Sequence, residues 1–220
     1  MGAIFNLDNP VWNFMGKVAD LVILNLLVIV CSIPIFTIGA SWTAMYFVTM
    51  RMVRKEESYI VRDFFRSFKE NFKQATVIWL FALFAVGIFA GDVIIYRMIP
   101  EQIPKALMIA VLVLAYLVLG TIIYVFPMLS RYHNTIKGTI KNAFLVSVVN
   151  IPYTIIFVLL MSIPFIMAVF LVELMPFVIM VGFSLPAYVA SIFWVRMFRK
   201  FEQQEVIESD GEAQGEETLE

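Results

Sequence analysis

Residues 58–75 read SYIVRDFFRSFKENFKQA and carry two patterns that a helix would separate. One is apolar and recurs about every four residues, so its members share one helix face: Tyr59/Ile60, Phe64, Phe68 and Phe72. The other is cationic and lies on a different face: Arg62, Arg66, Lys69 and Lys73. A helix that is aromatic on one side and cationic on another is typical of a membrane–water interface. We therefore expect a cytoplasmic amphipathic interfacial helix at 58–74.

The composition around this segment is that of an integral membrane protein. Hydrophobic residues make up 61% of the chain and charged residues 15%, against about 45–50% and 25% in soluble domains. The windows 22–50, 106–130 and 142–172 contain no charged residue. A transmembrane helix needs roughly 20 mainly apolar residues, so the sequence predicts an all-α, polytopic transmembrane helix bundle.

The number of spans depends on how the first apolar stretch is divided. Pro34 and Gly39 both weaken a helix in its middle, which favours a hairpin over a single kinked span. The hairpin gives six spans in three hairpins, and the kinked helix leaves five. The six expected spans lie near 14–31, 35–51, 75–96, 105–130, 143–163 and 176–195.

The distribution of basic residues predicts the orientation. With six spans, 14 of the 16 Lys and Arg residues fall on one side, and only Arg97 and Lys105 on the other. The positive-inside rule then places both termini in the cytoplasm. We expect an integral membrane domain at 1–201. A disordered tail at 202–220 should follow it, since this segment carries eight acidic and no basic residues.

Short segments of the chain recur. FKENFKQA (68–75) is echoed by IKGTIKNA (136–143), Ser-Ile-Pro occurs at 32–34 and 162–164, and RMVRK (51–55) returns as RMFRK (196–200). Parallel repeats occur in membrane proteins. The alternative is that basic cytoplasmic loops simply resemble one another, and the sequence leaves both open.

Few residues could carry chemistry. Asn25 and Asn150 lie inside expected spans and could line a polar path, although hydrogen bonding to a neighbouring helix is the simpler role. One histidine, His133, and one cysteine, Cys31, cannot supply the ligands of a zinc site or a nucleophile–base pair at one place. We expect no catalytic, cofactor-binding or metal-binding residue, and therefore no enzyme.

The amphipathic helix is the strongest candidate for a contact surface. Its basic and aromatic residues suit lipid headgroups or a cytoplasmic protein better than nucleic acid, because apolar spans flank it on both sides. The candidate contact residues are Arg62, Phe64, Phe65, Arg66, Phe68, Lys69, Phe72 and Lys73.

Three stretches together resemble the YesL family of bacterial membrane proteins, a domain family of unknown function. They are FNLDNPVWNFMGKVADLVILN (5–25), CSIPIFTIGAS (31–41) and YIVRDFFRSFKENFKQA (59–75). The resemblance implies a bacterial plasma membrane and genes beside those for sugar ABC transporters and sensor kinases. We therefore expect an accessory or regulatory protein of carbohydrate uptake, with a permease or sensor kinase as partner. A small-solute transporter or channel is the alternative.

Overall fold

The computed structural model describes residues 10–57, 59–98, 104–132 and 134–217. Residue 58, His133 and the last tail residues, 218–220, lie outside this part of the chain. Within it the chain forms helices and short turns without a β-strand, which confirms the all-α prediction. The α-helices are α1 (Pro10–Cys31), α2 (Ile38–Val53), α3 (Ile60–Met98), α4 (Lys105–Arg131), α5 (Ile136–Val149), α6 (Ile151–Phe170), α7 (Met175–Val181) and α8 (Ser184–Glu217).

Several of these helices can cross a membrane. By length and apolar character, α3, α4, α6 and the Phe14–Cys31 part of α1 qualify, which makes four in the described residues. A fifth is reached if α7 and α8, bent by 45° at their junction, count as one span. The six-span scheme also counted α2. With 16 residues, α2 is about 24 Å long, short of the roughly 30 Å hydrocarbon core.

The first apolar stretch is divided into two helices near the position that the sequence predicts, although α2 is not among the helices that qualify as spans. The first apolar helix ends at Cys31, and α2 begins at Ile38 after a 3₁₀ turn at Ile35–Thr37. The Thr37 hydroxyl, which has one proton to donate, lies 2.5 Å from the carbonyl oxygen of Cys31 and 2.6 Å from that of Pro34. Donation to Cys31 satisfies a carbonyl that the end of α1 leaves without an intrahelical partner.

Helix α2 lies at the centre of the bundle and contacts α1, α3, α4 and α8. Small residues let its backbone approach those neighbours closely: Gly39, Ala40, Ser41, Thr43 and Ala44 are all buried. A Cβ on Gly39 would stand 2.6 Å from the Ala75 carbonyl oxygen and 2.7 Å from Cβ of Trp79. The α2–α3 crossing therefore requires glycine at position 39.

Aromatic rings join α4, α6 and α8 in a second part of the core. Trp194 is stacked on Phe157 with ring centroids 4.6 Å apart, and Tyr124 meets it edge-on at 4.7 Å. All three side chains are fully buried or nearly so. Beside them, the hydroxyls of Thr49 and Ser191 lie 2.8 Å apart and connect α2 with α8.

Two of the predicted spans are broken. The span expected at 143–163 consists of two helices, because α5 ends at Val149 and α6 starts at Ile151. Pro152, in the first turn of α6, has no N–H to continue the helix of α5. The span expected at 176–195 is interrupted between α7 and α8, at Gly182 and Phe183.

The sequence predicts an interfacial helix at 58–74 as a separate element, but its residues 60–74 are the first part of α3. This helix has 39 residues without a break, a length of about 58 Å. No glycine or proline occurs from Ile60 until Gly87, so nothing in the sequence ends the helix between the amphipathic segment and the apolar one.

The last helix, α8, continues past the basic residues of the segment 196–200. Its backbone is helical through Glu217 and so includes most of the acidic segment, 202–220. The composition of that segment is typical of a disordered tail, and its disorder in solution stays a prediction.

Candidate functional site

The amphipathic part of α3 is anchored to the end of α2 by one arginine. The Arg51 guanidinium lies 3.0 Å from a carboxylate oxygen of Asp63 and 3.1 Å from one of Glu56. It also donates to the backbone carbonyl of Glu57 at 2.7 Å. The Asp63 side chain is only 9% exposed, so this ion pair is largely shielded from water. Arg51 thus fixes both the α2–α3 turn and the start of α3.

The predicted aromatic face exists, but it is turned towards the core. Phe64 is fully buried, and Phe68 and Phe72 are half-buried against the same cluster. The rings of Phe64 and Phe68 are 6.0 Å apart, and those of Phe68 and Phe72 are 5.5 Å apart. Of the candidate contact residues, these three stabilise the attachment of α3 to the bundle.

The other candidate residues form an exposed surface on the opposite side of α3. This outer basic face consists of Arg62, Phe65, Arg66, Lys69 and Lys73, all of them exposed. Arg66 pairs with Glu70 at 3.0 Å, but both side chains are well solvated, so the pair is worth at most about 1 kcal/mol. Charge on this face is therefore available to a partner.

Asn25 is buried, and both the nitrogen and the oxygen of its side-chain amide form hydrogen bonds that join α1 to the break between α7 and α8. Its Nδ2 donates to the carbonyls of Val178 (3.0 Å) and Ile179 (2.7 Å). Its Oδ1 accepts from the backbone N–H groups of Phe183 (2.9 Å) and Ser184 (3.0 Å). An asparagine side chain has two donors and two acceptor lone pairs. Backbone groups occupy all four. Asn25 therefore has the simpler of the two roles considered for it, hydrogen bonding to a neighbouring helix.

Asn150, the second intramembrane candidate, lies elsewhere. It is half-buried at the junction of α5 and α6, and its Nδ2 donates to the Val146 carbonyl of its own helix at 3.0 Å. The structure records no hydrogen bond that connects Asn150 with Asn25 among the described residues. The two asparagines serve two separate helix junctions.

Contacts between distant loops bring the basic segments to one end of the bundle. Gln74 on α3 donates to the backbone carbonyl of Asn134 in the α4–α5 connection at 3.2 Å. At the same end the Arg131 guanidinium lies 5.9 Å from the centre of the Phe198 ring of α8. A cavity of about 290 Å³ between α2 and α4 is lined by Arg54 and Arg131. Sequence reasoning missed this cavity, because its two arginines lie far apart in the chain.

Across the part of the chain that the structure describes, no three His, Cys, Asp or Glu side chains come together as a metal site. The expected absence of catalytic and cofactor-binding residues stays a prediction.

The described residues form an all-helical bundle in which four or five helices are long and apolar enough to cross a membrane. Fold and site are thus of the helical membrane-protein class. Residues 21–93 of this chain match the model of a protein family of unknown function, DUF624. The match covers α2, the second half of α1 and most of α3, and so includes Asn25, Arg51 and the outer basic face. No curated protein and no solved structure matches the chain significantly.

Proposed function

We propose that this chain is a non-enzymatic membrane protein that docks a partner on the outer basic face of α3. The observation that carries the proposal is that the two sides of this helix have different surroundings. Its aromatic side is held in the core by Phe64 and by the Arg51–Asp63 ion pair, while Arg62, Phe65 and their neighbours face outward. A surface whose backbone is fixed before binding loses less conformational freedom on association.

The proposed topology has six spans, with α2 as the second and α7–α8 as the last. A short α2 is acceptable in this scheme because protein, rather than lipid, surrounds it. The end of the bundle that holds 14 of the 16 basic residues would then face the cytoplasm of a bacterium, together with both termini.

The length of α3 favours a protein over lipid headgroups as the ligand of this face. If 75–96 crosses the hydrocarbon core, the preceding 15 residues extend about 22 Å beyond it. The headgroup layer adds only about 5–8 Å on each side. Arg62, about 20 Å beyond the core, is therefore outside the headgroup layer in a continuous helix perpendicular to the membrane, and Arg66, at about 14 Å, lies beyond the outer edge of that layer. An acidic surface of a cytoplasmic or membrane partner fits their position.

The identity of the partner rests on the resemblance to the YesL family. We propose an accessory or regulatory role in carbohydrate uptake, with a sugar ABC-transporter permease or a sensor kinase bound at the outer basic face. The exposed Phe65 would supply an apolar contact at the centre of an otherwise charged surface.

Charge reversal tests the docking surface. Tagged wild-type chain and an Arg62→Glu/Arg66→Glu variant are expressed at equal levels, crosslinked in native membranes and purified, and the bound proteins are identified by mass spectrometry. The expected result is a permease or sensor kinase at near-stoichiometric yield with the wild type, reduced tenfold or more by the variant.

A matched control carries two charge reversals at the other end of the bundle, Arg97→Glu/Lys105→Glu, and should retain the partner. Membrane insertion should be equal in all three chains, because the substituted side chains are exposed. Equal recovery of the partner with both variants would exclude docking at this face.

A further inference from the structure

A groove separate from the outer basic face lies between α3, α4 and α5. Its volume is about 650 Å³, and its walls are residues 78–85 of α3, 114–125 of α4, and Ile140 and Phe144 of α5. The lining is apolar almost throughout, with Thr121 and two lysines as the polar members. The Thr121 hydroxyl donates to the Leu117 carbonyl of its own helix at 2.8 Å, so the body of the groove offers no free donor.

The two lysines stand at one end of this groove. Lys137 and Lys141 are one helical turn apart on α5, both line the groove, and both are exposed. No ion pair to either lysine is found within the described ranges of the chain. An apolar groove with two cations at one end complements a ligand with an apolar chain and an anionic head.

The depth of the lysines fits a lipid headgroup. The Gln74–Asn134 hydrogen bond places the beginning of α5 level with residue 74, where the charged part of α3 gives way to its apolar part. Lys137 and Lys141 therefore lie at the boundary of the apolar region, about 12–18 Å closer to it along α3 than Arg66 and Arg62.

The dimensions of the groove suit an acyl chain. Along α4 it extends from Leu114 to Val125, about 17 Å, close to half of the roughly 30 Å hydrocarbon core. A ten-residue helix of another protein would occupy about 1,200 Å³ as a cylinder 10 Å wide, nearly twice the volume available. A groove of this volume can enclose a single flexible chain, whereas a helix could place only one face in it.

We propose that this groove binds one anionic phospholipid, with an acyl chain between α3 and α4 and the phosphate at Lys137 and Lys141. The site does not depend on the proposed docking role, because none of its residues belongs to the outer basic face. Each lysine near a membrane surface should favour an anionic lipid roughly fivefold, so both together should give about 25-fold.

The test uses the full chain, delipidated in detergent and titrated with phosphatidylglycerol or phosphatidylcholine of identical acyl chains, with bound lipid counted by native mass spectrometry. We expect one phosphatidylglycerol per chain, preferred at least tenfold over phosphatidylcholine. Lys137→Ala/Lys141→Ala should abolish the preference, and Ala85→Trp, which fills the apolar wall, should weaken both lipids. Arg97→Ala/Lys105→Ala, with the same change of charge at the other end, should leave binding unchanged.

Four results would overturn the proposal. Equal affinity for the two lipids would remove the role of the lysines, and unchanged binding after Ala85→Trp would place the acyl chain elsewhere. A dimer that Ala85→Trp dissociates would assign the groove to a second copy of the chain. Persistence of bound phosphatidylglycerol in excess inorganic phosphate supports a lipid ligand, whereas its displacement would assign the lysines to free phosphate.

Discussion

Replacing Asn25 by leucine should destabilise the bundle by opening the α7–α8 break. Leucine has the same branching and the same number of side-chain heavy atoms as asparagine, but it neither donates nor accepts hydrogen bonds. In the structure Asn25 supplies hydrogen bonds to Ile179 O, Phe183 N–H and Ser184 N–H and shares Val178 O with the Gly182 N–H. After the substitution these backbone groups must find other partners inside a buried site.

The number of hydrogen bonds sets the size of the effect. Inter-helix hydrogen bonds in membrane proteins average about 0.6 kcal/mol, so the four bonds of Asn25 give a lower value near 2.4 kcal/mol. Leaving a buried polar group unsatisfied costs about 1–3 kcal/mol, which raises the value for three affected groups. We expect Asn25→Leu to lower the free energy of unfolding by about 2.4 kcal/mol or more.

Asn150→Leu is the matched control, because it makes the same chemical change at a half-buried site. Asn150 makes a single side-chain hydrogen bond to its own helix, so its loss should cost less than about 1 kcal/mol. The free energy of unfolding is measured by titration with sodium dodecyl sulfate in mixed micelles, followed by circular dichroism. Hydrogen exchange supplies a local measurement, and the Phe183 and Ser184 amides should exchange faster in Asn25→Leu only.

One result of this comparison would contradict the prediction. If the two leucine variants differ by less than about 0.5 kcal/mol, the scatter of ordinary surface substitutions, the bonds of Asn25 do not hold the break. Unchanged stability together with loss of solute flux in liposomes would instead favour the alternative, a transport path that includes Asn25.

Two further substitutions test how α2 is held. Gly39→Ala should cost about 1–3 kcal/mol because its Cβ would overlap α3, whereas Gly87→Ala, with open space around its Cβ, should gain up to about 1 kcal/mol of helix stability. The same sign for both in the unfolding titration would contradict the close crossing. Arg51→Ala should cost about 2–4 kcal/mol because its pair with Asp63 is shielded, and the exposed Arg66→Ala less than 1 kcal/mol; equal losses would show that the shielding has no effect.

Hydropathy located the helices whose ends coincide with polar or helix-breaking residues. The first span was expected at 14–31 and is found at Phe14–Cys31, since Pro34 follows its end. The fourth was expected at 105–130 and is found as α4, between Pro104 and the polar connection that follows Arg131. Such ends depend on neighbours in sequence, and a single chain contains that information.

The broken spans could not be located in this way, because the groups that satisfy them are distant in sequence. The Gly182–Phe183 break is stable since Asn25, more than 150 residues earlier, bonds to its backbone. At the end of α2 the backbone of Lys55 adopts φ 57° without the glycine that usually marks this conformation. The four-residue spacing identified the aromatic face of α3, but only tertiary packing shows that Phe64 is covered.

The echoed segments also show that local sequence does not determine the wider structure. Ala75 and Ala143 end the two echoed segments, and both are fully buried, so the shared letters do share a local role. Beyond them the structures differ, because α3 continues to Met98 while α5 ends at Val149. The Ser-Ile-Pro echo also separates, with Pro34 in a turn and Pro164 inside α6. The echoes therefore reflect local chemistry and not a repeated fold.

Because the echoed segments on α3 and α5 lie in different structures, we assign different ligands to their basic residues. On α3 the cations precede a long continuous helix, and Arg62 and Arg66 stand well outside its apolar part. On α5 the cations lie at the level of that boundary, beside an apolar groove. Similar sequences thus present charge at two distances from the apolar region. For that reason we propose a protein ligand for the first segment and a phospholipid for the second.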